Sequence, residues 1–347
     1  MKRRGKSVNI KDVARRAAVA PCTVSRVLGN SALVSPETRL RVFAAIEELN
    51  YRPNFLARSL AKGRTHTIGV VTANVQNSFF PELIRSIEDA AYERGFSVTI
   101  SNTYNQPEKE ERYVNLFIEK RFDGVILTNA RSGDDSLARM LMESNIPFLF
   151  LNRYVRNFPG DYVVSDEYRG GYLAGRHLCE LGHKAIAVII GPEYSSASQG
   201  RLVGFLTALA HHGVSIRKEL MRRGDLSFKS GYELMRELIS TGLTFDALFG
   251  GNDMMAMGAI DALLENGLRV PEDVSVIGYD DIEFSGRCQG VGLTTVRQFV
   301  DLMGKRAVEI LTEKIEHQGS RRPQRIVFPV ELIVRGTTRK RGPHDGD

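Results

Sequence analysis

Apolar residues recur along this chain at two rhythms, and the change of rhythm near residue 65 divides it. The first part is helical. Ile10, Val13, Ala14 and Ala17 fall on one face of a helix predicted over 10–18. Val19-Ala20 interrupts the pattern, and 21–28 predicts a second helix with Pro21 at its favoured first position. Ser35 stands as the N-cap of a third, whose buried side is expected to carry Leu40, Val42, Phe43, Ile46 and Leu49. A fourth segment, 54–62, closed by Gly63, is too short to hold as a helix alone.

From Thr67 onward, short apolar runs alternate with amphipathic stretches. Strands are predicted at 68–72, 97–101, 124–128, 148–151, 162–165, 185–191, 247–249 and 274–278. The helices between them are predicted at 82–94, 108–120, 169–181, 200–212, 231–239 and 254–266. Near-continuous apolar strands separated by helices imply parallel sheets covered on both faces. The strands are too many for one modest sheet, so two similar lobes are expected, dividing near Val163–Asp166. A strand at 294–297, a helix at 300–317 and a strand-like stretch at 325–334 return the chain to either lobe. Residues 339–347 read as a disordered tail.

Charge sharpens this division. Residues 1–64 carry fourteen Lys and Arg against four acids, a surplus of ten, while the whole chain carries only +6. A basic head on a mildly acidic body is the electrostatic footprint of a polyanion binder. Cys22, Cys179 and Cys288 are far apart and form no CxxC pair, which argues against a disulfide framework or a thiolate metal site and suits a reducing cytosol. The basic start is followed by no apolar run of a secretory signal, and no stretch approaches the about 18–20 apolar residues of a membrane span. A cytoplasmic protein is expected.

The segment from Ile10 to Leu28 carries the functional signal. A helix-turn-helix needs two short helices packed across a tight turn, the second free to offer its first side chains to base edges. Val13, Ala17, Val19, Val24 and Leu28 supply small apolar packing, while Thr23, Ser25 and Arg26 stay polar. Periodicity alone leaves a generic helical pair equally open.

IKDVARRAAV with TVSRVL, then VSPETRLRVFAAIEELNYRPN and ARSLAKG, resembles the lac-repressor (LacI/GalR) family of bacterial transcriptional regulators. The likeness continues through TIGVV, GRLVGF, GGNDMMAMGA, VPEDVSVIGYDD and LTTVRQ, over nearly the whole chain. The resemblance implies a lambda-repressor-like helix-turn-helix domain followed by an α/β two-lobed core like that of periplasmic binding proteins. It implies domains at 1–53 (helix-turn-helix), 54–64 (hinge helix and linker), 65–164 with about 296–324 (amino-terminal lobe) and 165–295 with about 325–338 (carboxy-terminal lobe).

The same resemblance assigns Pro21, Cys22 and Arg26 to base-reading positions and Thr23, Ser25 and Ser35 to phosphate contacts. Arg26 suits guanine, whose O6 and N7 one guanidinium can bond together; a phosphate contact is its alternative. Ala20 replaces the Ser or Thr that usually caps this helix, and Gly29 stands where the family more often has Asn. Cys22 admits a redox-switch role, or a plain contact beside a thymine methyl. Asn54, Ala57 and Leu60 fall on the hinge helix, with Leu60 as the minor-groove wedge.

In the core, Phe79, Phe80, Asn152, Ser195, Arg201, Asn252 and Asp280 follow predicted strands, where open parallel sheets bind ligands. The resemblance implies that they hold a small polar effector, a sugar or sugar derivative, with the aromatic residues covering a ring face. Arg201 has an alternative as an ion pair within its lobe, and Asp280 as the cap of a turn. Leu226 occupies a position where related repressors often carry an aromatic. The expected partners are operator DNA, the effector and a second copy of the chain. The carboxy-terminal end lacks the leucine heptad of tetrameric relatives, so a homodimer is expected.

An enzyme is the competing class, since lobes of this kind also host catalysts. No GxGxxG follows a strand, and neither GxxxxGK[ST] nor GxSxG occurs. His211-His212 lack metal spacing, and Asp134-Asp135 and Asp280-Asp281 read as loop acids. No cofactor or metal is expected. A transport binding protein would need an export signal.

Overall fold

The computed structural model describes residues 8–29, 33–52, 64–317 and 322–342. The chain forms two compact units, Met1–Thr65 and His66–Asp347. The smaller unit holds α1 (Ile10–Arg16), α2 (Pro21–Leu28) and α3 (Pro36–Glu48). Asn9 and Asp12 close a reciprocal cap on α1: the Asn9 side chain accepts from the Lys11 and Asp12 N–H groups, and Asp12 accepts from the Asn9 N–H. Val13, Ala14, Ala17, Val24, Val27, Val42 and Ala45 form its core.

Two expected core residues of α3 face solvent instead: Leu40 is 72% and Phe43 47% exposed. Val42, Ala45, Ile46 and Leu49 share the inward stripe at helical spacing, and Leu40 and Phe43 fall off that stripe by roughly 160° and 100° of helix rotation.

In the larger unit, β1 (Thr67–Thr72), β2 (Ser97–Asn102), β3 (Gly124–Leu127), β4 (Phe148–Leu151), β5 (Tyr162–Ser165) and β11 (Arg325–Phe328) form one parallel sheet in the order β11-β5-β4-β3-β1-β2. Helices α4 (Phe79–Glu93), α5 (Pro107–Glu119), α6 (Ser136–Glu143) and α11 (Val300–Glu316) accompany it. The second sheet is β7-β6-β8-β9, from β6 (Ile186–Ile190), β7 (Met221–Arg223), β8 (Ala247–Gly250) and β9 (Ser275–Ile277), again parallel. With it go α7 (Glu167–Glu180), α8 (Ser196–His211), α9 (Phe228–Ser240) and α10 (Asp253–Glu265). β10 (Thr295–Gln298) and β12 (Val330–Ile333) pair antiparallel, and Val296, Val330 and Leu332 pack into the second lobe's core.

The strand-like stretch at 325–334 is therefore two strands serving different lobes. Arg325–Phe328 pairs with β5, so the division expected at about 325 falls at Pro329. The earlier division, expected at about 296, falls after Gln298, because Thr295–Gln298 pairs with β12. The disordered tail is corrected for its first residues: the Arg339 and Arg341 backbone N–H groups bond Ser275 Oγ and the Leu181 carbonyl, and Arg341 pairs with Asp246 at 2.9 Å. Residues 343–347 lie outside the described residues.

The approach of α7 to α8 is closer than side chains allow. A Cβ on Gly204 would lie 1.9 Å from the Tyr168 carbonyl oxygen, and one on Gly171 1.9 Å from that of Arg201. Gly204→Ala should therefore destabilise the protein by about 1–3 kcal/mol through overpacking. A lower urea midpoint is expected; an unchanged midpoint would mean that the helices can separate freely.

Candidate functional site

Two places bring the expected residues together, one in each unit. On α2, Val24 and Val27 turn inward, leaving Pro21, Cys22, Ser25 and Arg26 exposed and Thr23 half-buried. The helix carries no side-chain cap, as Ala20 in place of Ser or Thr dictates, and Pro21 opens it. Ser35 is exposed at the start of α3, its Oγ accepting from the Thr38 N–H at 3.3 Å and donating to Thr38 Oγ1 at 2.9 Å. Asn54, Ala57 and Leu60 lie outside the described residues.

In the larger unit a narrow cleft lies between the lobes, and Phe79, Phe80, Asn152, Ser195, Arg201, Asn252 and Asp280 all line it. The strand-end rule thus gathers seven residues from five distant segments. Two helices start nearer the cavity than periodicity placed them. Asn77 accepts from the Phe79 N–H, so α4 opens at Phe79 rather than 82, and Ser195 caps α8, which opens at Ser196 rather than 200.

Arg201 is the centre of the second lobe's side. Its Nε donates to Glu167 at 2.7 Å, Nη1 to the Gly251 carbonyl at 2.7 Å, and Nη2 lies 3.3 Å from Asp280. Its guanidinium lies 3.8 Å over the Tyr279 ring, a cation–π contact. The alternative expected for Arg201, an ion pair within its lobe, is thus what the geometry contains, and the same side chain also borders the cavity. Asp280 does not cap a turn: it accepts from Gln298 Nε2 at 2.7 Å through Oδ1, the atom that also faces Arg201.

Asn252 and Ser195 are partly committed to structure. Asn252 Oδ1 caps α10 through the Met255 N–H at 3.0 Å, while its Nδ2 donates to the Leu226 carbonyl at 3.0 Å. Ser195 Oγ accepts from the Ser198 N–H at 3.2 Å. Asn152 differs: its Oδ1 is buried with no hydrogen-bond partner. Leu226 borders the cavity with φ +71°, a conformation that costs a branched aliphatic residue of order 1–3 kcal/mol and is held by its surroundings.

Four contributors were not singled out by sequence: Arg153 and Asn77, which line the cavity, and Glu167 and Gln298, which hold its charged groups. Arg153 and Glu167 carry the same strand-end signal as Asn152, following β4 and β5.

One guanidinium serves two carboxylates here. Burial is the largest influence on Asp280, and Glu167 adds repulsion; together they outweigh Arg201 and push the Asp280 carboxyl up to about 7. Arg201 is held charged by Glu167 and Asp280 against its own burial. Behind them Asp253, fully buried and bonded by the Ile282 N–H at 3.0 Å, is pushed well up by burial and by Asp280. No cluster of three His, Cys, Asp or Glu among the described residues could hold a metal ion, and no helix among them is long and apolar enough to cross a membrane.

Comparison with known proteins matches residues 9–54 to the family of bacterial regulatory proteins, lacI family, and residues 65–335 to the periplasmic binding proteins and sugar binding domain of LacI family. The HTH-type transcriptional repressor PurR of Klebsiella pneumoniae (strain 342) is 38% identical over 308 residues, covering 88% of this chain and 90% of that protein. A lac repressor dimer bound to operator and the anti-inducer ONPF superposes with a TM-score of 0.85 at 33% identity, covering 96% of this chain and all of that one. The transcriptional regulator CelR in complex with cellobiose gives a TM-score of 0.73 at 33% identity, covering 95% of this chain and 99% of that one.

Asp280 titrates with a definite sign. Its folded-state value lies above the ordinary value of 3.8, so folding takes up a proton between about 4 and 7, and this group's contribution weakens as pH rises through that window. Asp280→Asn removes the dependence. The melting temperature of that variant minus wild type should therefore be larger at pH 8 than at pH 5; a difference constant with pH would contradict the assignment.

Proposed function

The chain belongs to the LacI family of bacterial regulatory proteins, and from that premise we propose a sequence-specific repressor that binds a pseudo-palindromic operator as a homodimer and answers to a small polar metabolite in its interlobe cavity. It is a DNA-binding regulator, not an enzyme.

The exposed face of α2 carries the proposal most directly. Arg26 stands on it without an ion pair among the described residues, and Pro21 and Cys22 precede it on the first turn. A guanidinium there can bond guanine O6 and N7, while Thr23, Ser25 and Ser35 offer hydroxyls to phosphates on either side. Ser35 must turn its hydroxyl from Thr38 to do so. Asn54, Ala57 and Leu60 are proposed to add a minor-groove contact, with Leu60 as the apolar wedge. Two-fold symmetry of the protein would match two half-sites in successive major grooves.

For the effector, a sugar or sugar derivative remains the proposal. Arg201, Asp280, Asn152 and Asn252 offer paired donors and acceptors, and Phe79 and Phe80 an apolar wall. A thermal-shift panel of sugars, sugar acids, polyols and nucleobases tests this class; stabilisation by nucleobases alone would replace it.

Selection from random duplexes by the full chain would supply the operator. On that sequence Arg26→Ala should lose about 10–100-fold in affinity by fluorescence anisotropy, the worth of one bidentate base contact, with a far smaller loss on unrelated DNA. Equal losses on both would make Arg26 a phosphate contact. Failure to enrich any sequence would sink the reading as a specific regulator.

A further inference from the structure

We propose that the cleft effector is an anion, whose carboxylate or phosphoryl oxygens pair with the guanidinium of Arg153; this rests on the reading of the interlobe cavity as the effector site.

Arg153 follows Asn152 at the end of β4, is 2% exposed and lines the cavity from the first lobe. One hydrogen bond is made by its guanidinium among the described residues, from Nη1 to Asn105 Oδ1 at a long 3.4 Å, and no carboxylate lies within ion-pair distance. Arginine is seldom buried unless it is paired. The contrast with Arg201 across the same cavity is direct, since that guanidinium has Glu167 and Asp280 on it.

The buried carboxylates of the first lobe make their hydrogen bonds and ion pairs elsewhere, and Glu110 reaches Arg153 only as a charge beyond ion-pair distance. Glu110 accepts from Asn129 at 2.6 Å and pairs with Arg131 at 3.6 Å, and Asp161 pairs with Lys314 at 2.7 Å. Burial lowers the Arg153 value only to about 10, so the group stays charged at neutral pH. A neutral polyol filling the cavity would leave this cation dry and unpaired, whereas a carboxylate or phosphoryl group would supply the charge-assisted fork that guanidinium favours. The amino terminus of α8, bordering the same cavity at Ala197 and Ser198, adds a favourable dipole. Asp280 offers an anion no counter-charge on its own side, so the acid group belongs toward Arg153 and the hydroxyls toward Asp280 and Asn252.

The test uses the full chain at constant ionic strength, with thermal shift and calorimetry. The probes are glucose, galactose and ribose against gluconate, galacturonate, ribose 5-phosphate and inorganic phosphate, so that carboxylate and phosphoryl arms are read separately. At least one anion should bind about 10–100-fold more tightly than its neutral counterpart, and Arg153→Met should remove that margin while Arg153→Lys keeps part of it. Without ligand, Arg153→Met should melt no lower than wild type, because it deletes an unpaired buried charge. Three results overturn the proposal: no saturable response to any anion, an anion margin that survives in Arg153→Met, or ligand-free destabilisation of Arg153→Met that Arg153→Lys does not share. A neutral sugar that saturates wild type and Arg153→Met alike, but not Asp280→Asn, refutes the anion while sparing the cleft reading. Anion binding indifferent to both substitutions refutes both.

Discussion

The guanidinium of Arg201 is the point on which the second lobe's face of the cleft depends. It joins α8, which carries it, to Glu167 at the start of α7, to the Gly251 carbonyl between β8 and α10, and to Asp280 beyond β9. Those contacts are buried, so removing the guanidinium leaves Glu167 and Asp280 without a counter-charge and costs about 3–5 kcal/mol. The glycine contacts between α7 and α8 serve the same end, bringing the backbones close enough for Glu167 and Arg201 to meet. A ligand contacting Arg201 or Asp280 therefore touches a network that already fixes four segments of the lobe.

That network changes what a substitution at Arg201 can report. Read as a ligand contact alone, the residue could be removed to silence effector response and nothing else. With two carboxylates and a carbonyl on it, its removal also disturbs the frame of the lobe. Asp280 and Arg153 are cleaner probes: Asp280→Asn keeps the shape of the side chain, and Arg153 holds no carboxylate whose pairing would be lost.

Much of this was legible in the sequence because strand and helix periods differ and because strand ends mark ligand sites in open parallel sheets. The rule, together with the resemblance to the lac-repressor family, pointed to seven residues from Phe79 to Asp280 that line the cavity, without knowledge of the pairing order. It failed where local pattern does not encode tertiary context. Leu40 and Phe43 are apolar yet off the inward stripe of α3. The three-residue β7, Met221–Arg223, has no apolar run to announce it, and α6 is only eight residues long. The stretch at 325–334 is strand-like on both sides of Pro329, and its composition does not tell which sheet each half joins. Whether Arg153 or Arg201 is paired depends on carboxylates far away in sequence, which periodicity cannot see.

The head and the cleft matter together only if occupancy of one alters the other. The direct measurement is operator affinity by fluorescence anisotropy on the full chain, with and without a saturating cleft ligand whose binding is verified by melting temperature. The expected result is a change of about 5–150-fold in wild type, the usual size of such a coupling, and little or none in Asp280→Asn at the same ligand concentration. Operator affinity unchanged at verified saturation would contradict an effector-controlled repressor and leave the cavity a binding site without a regulatory consequence.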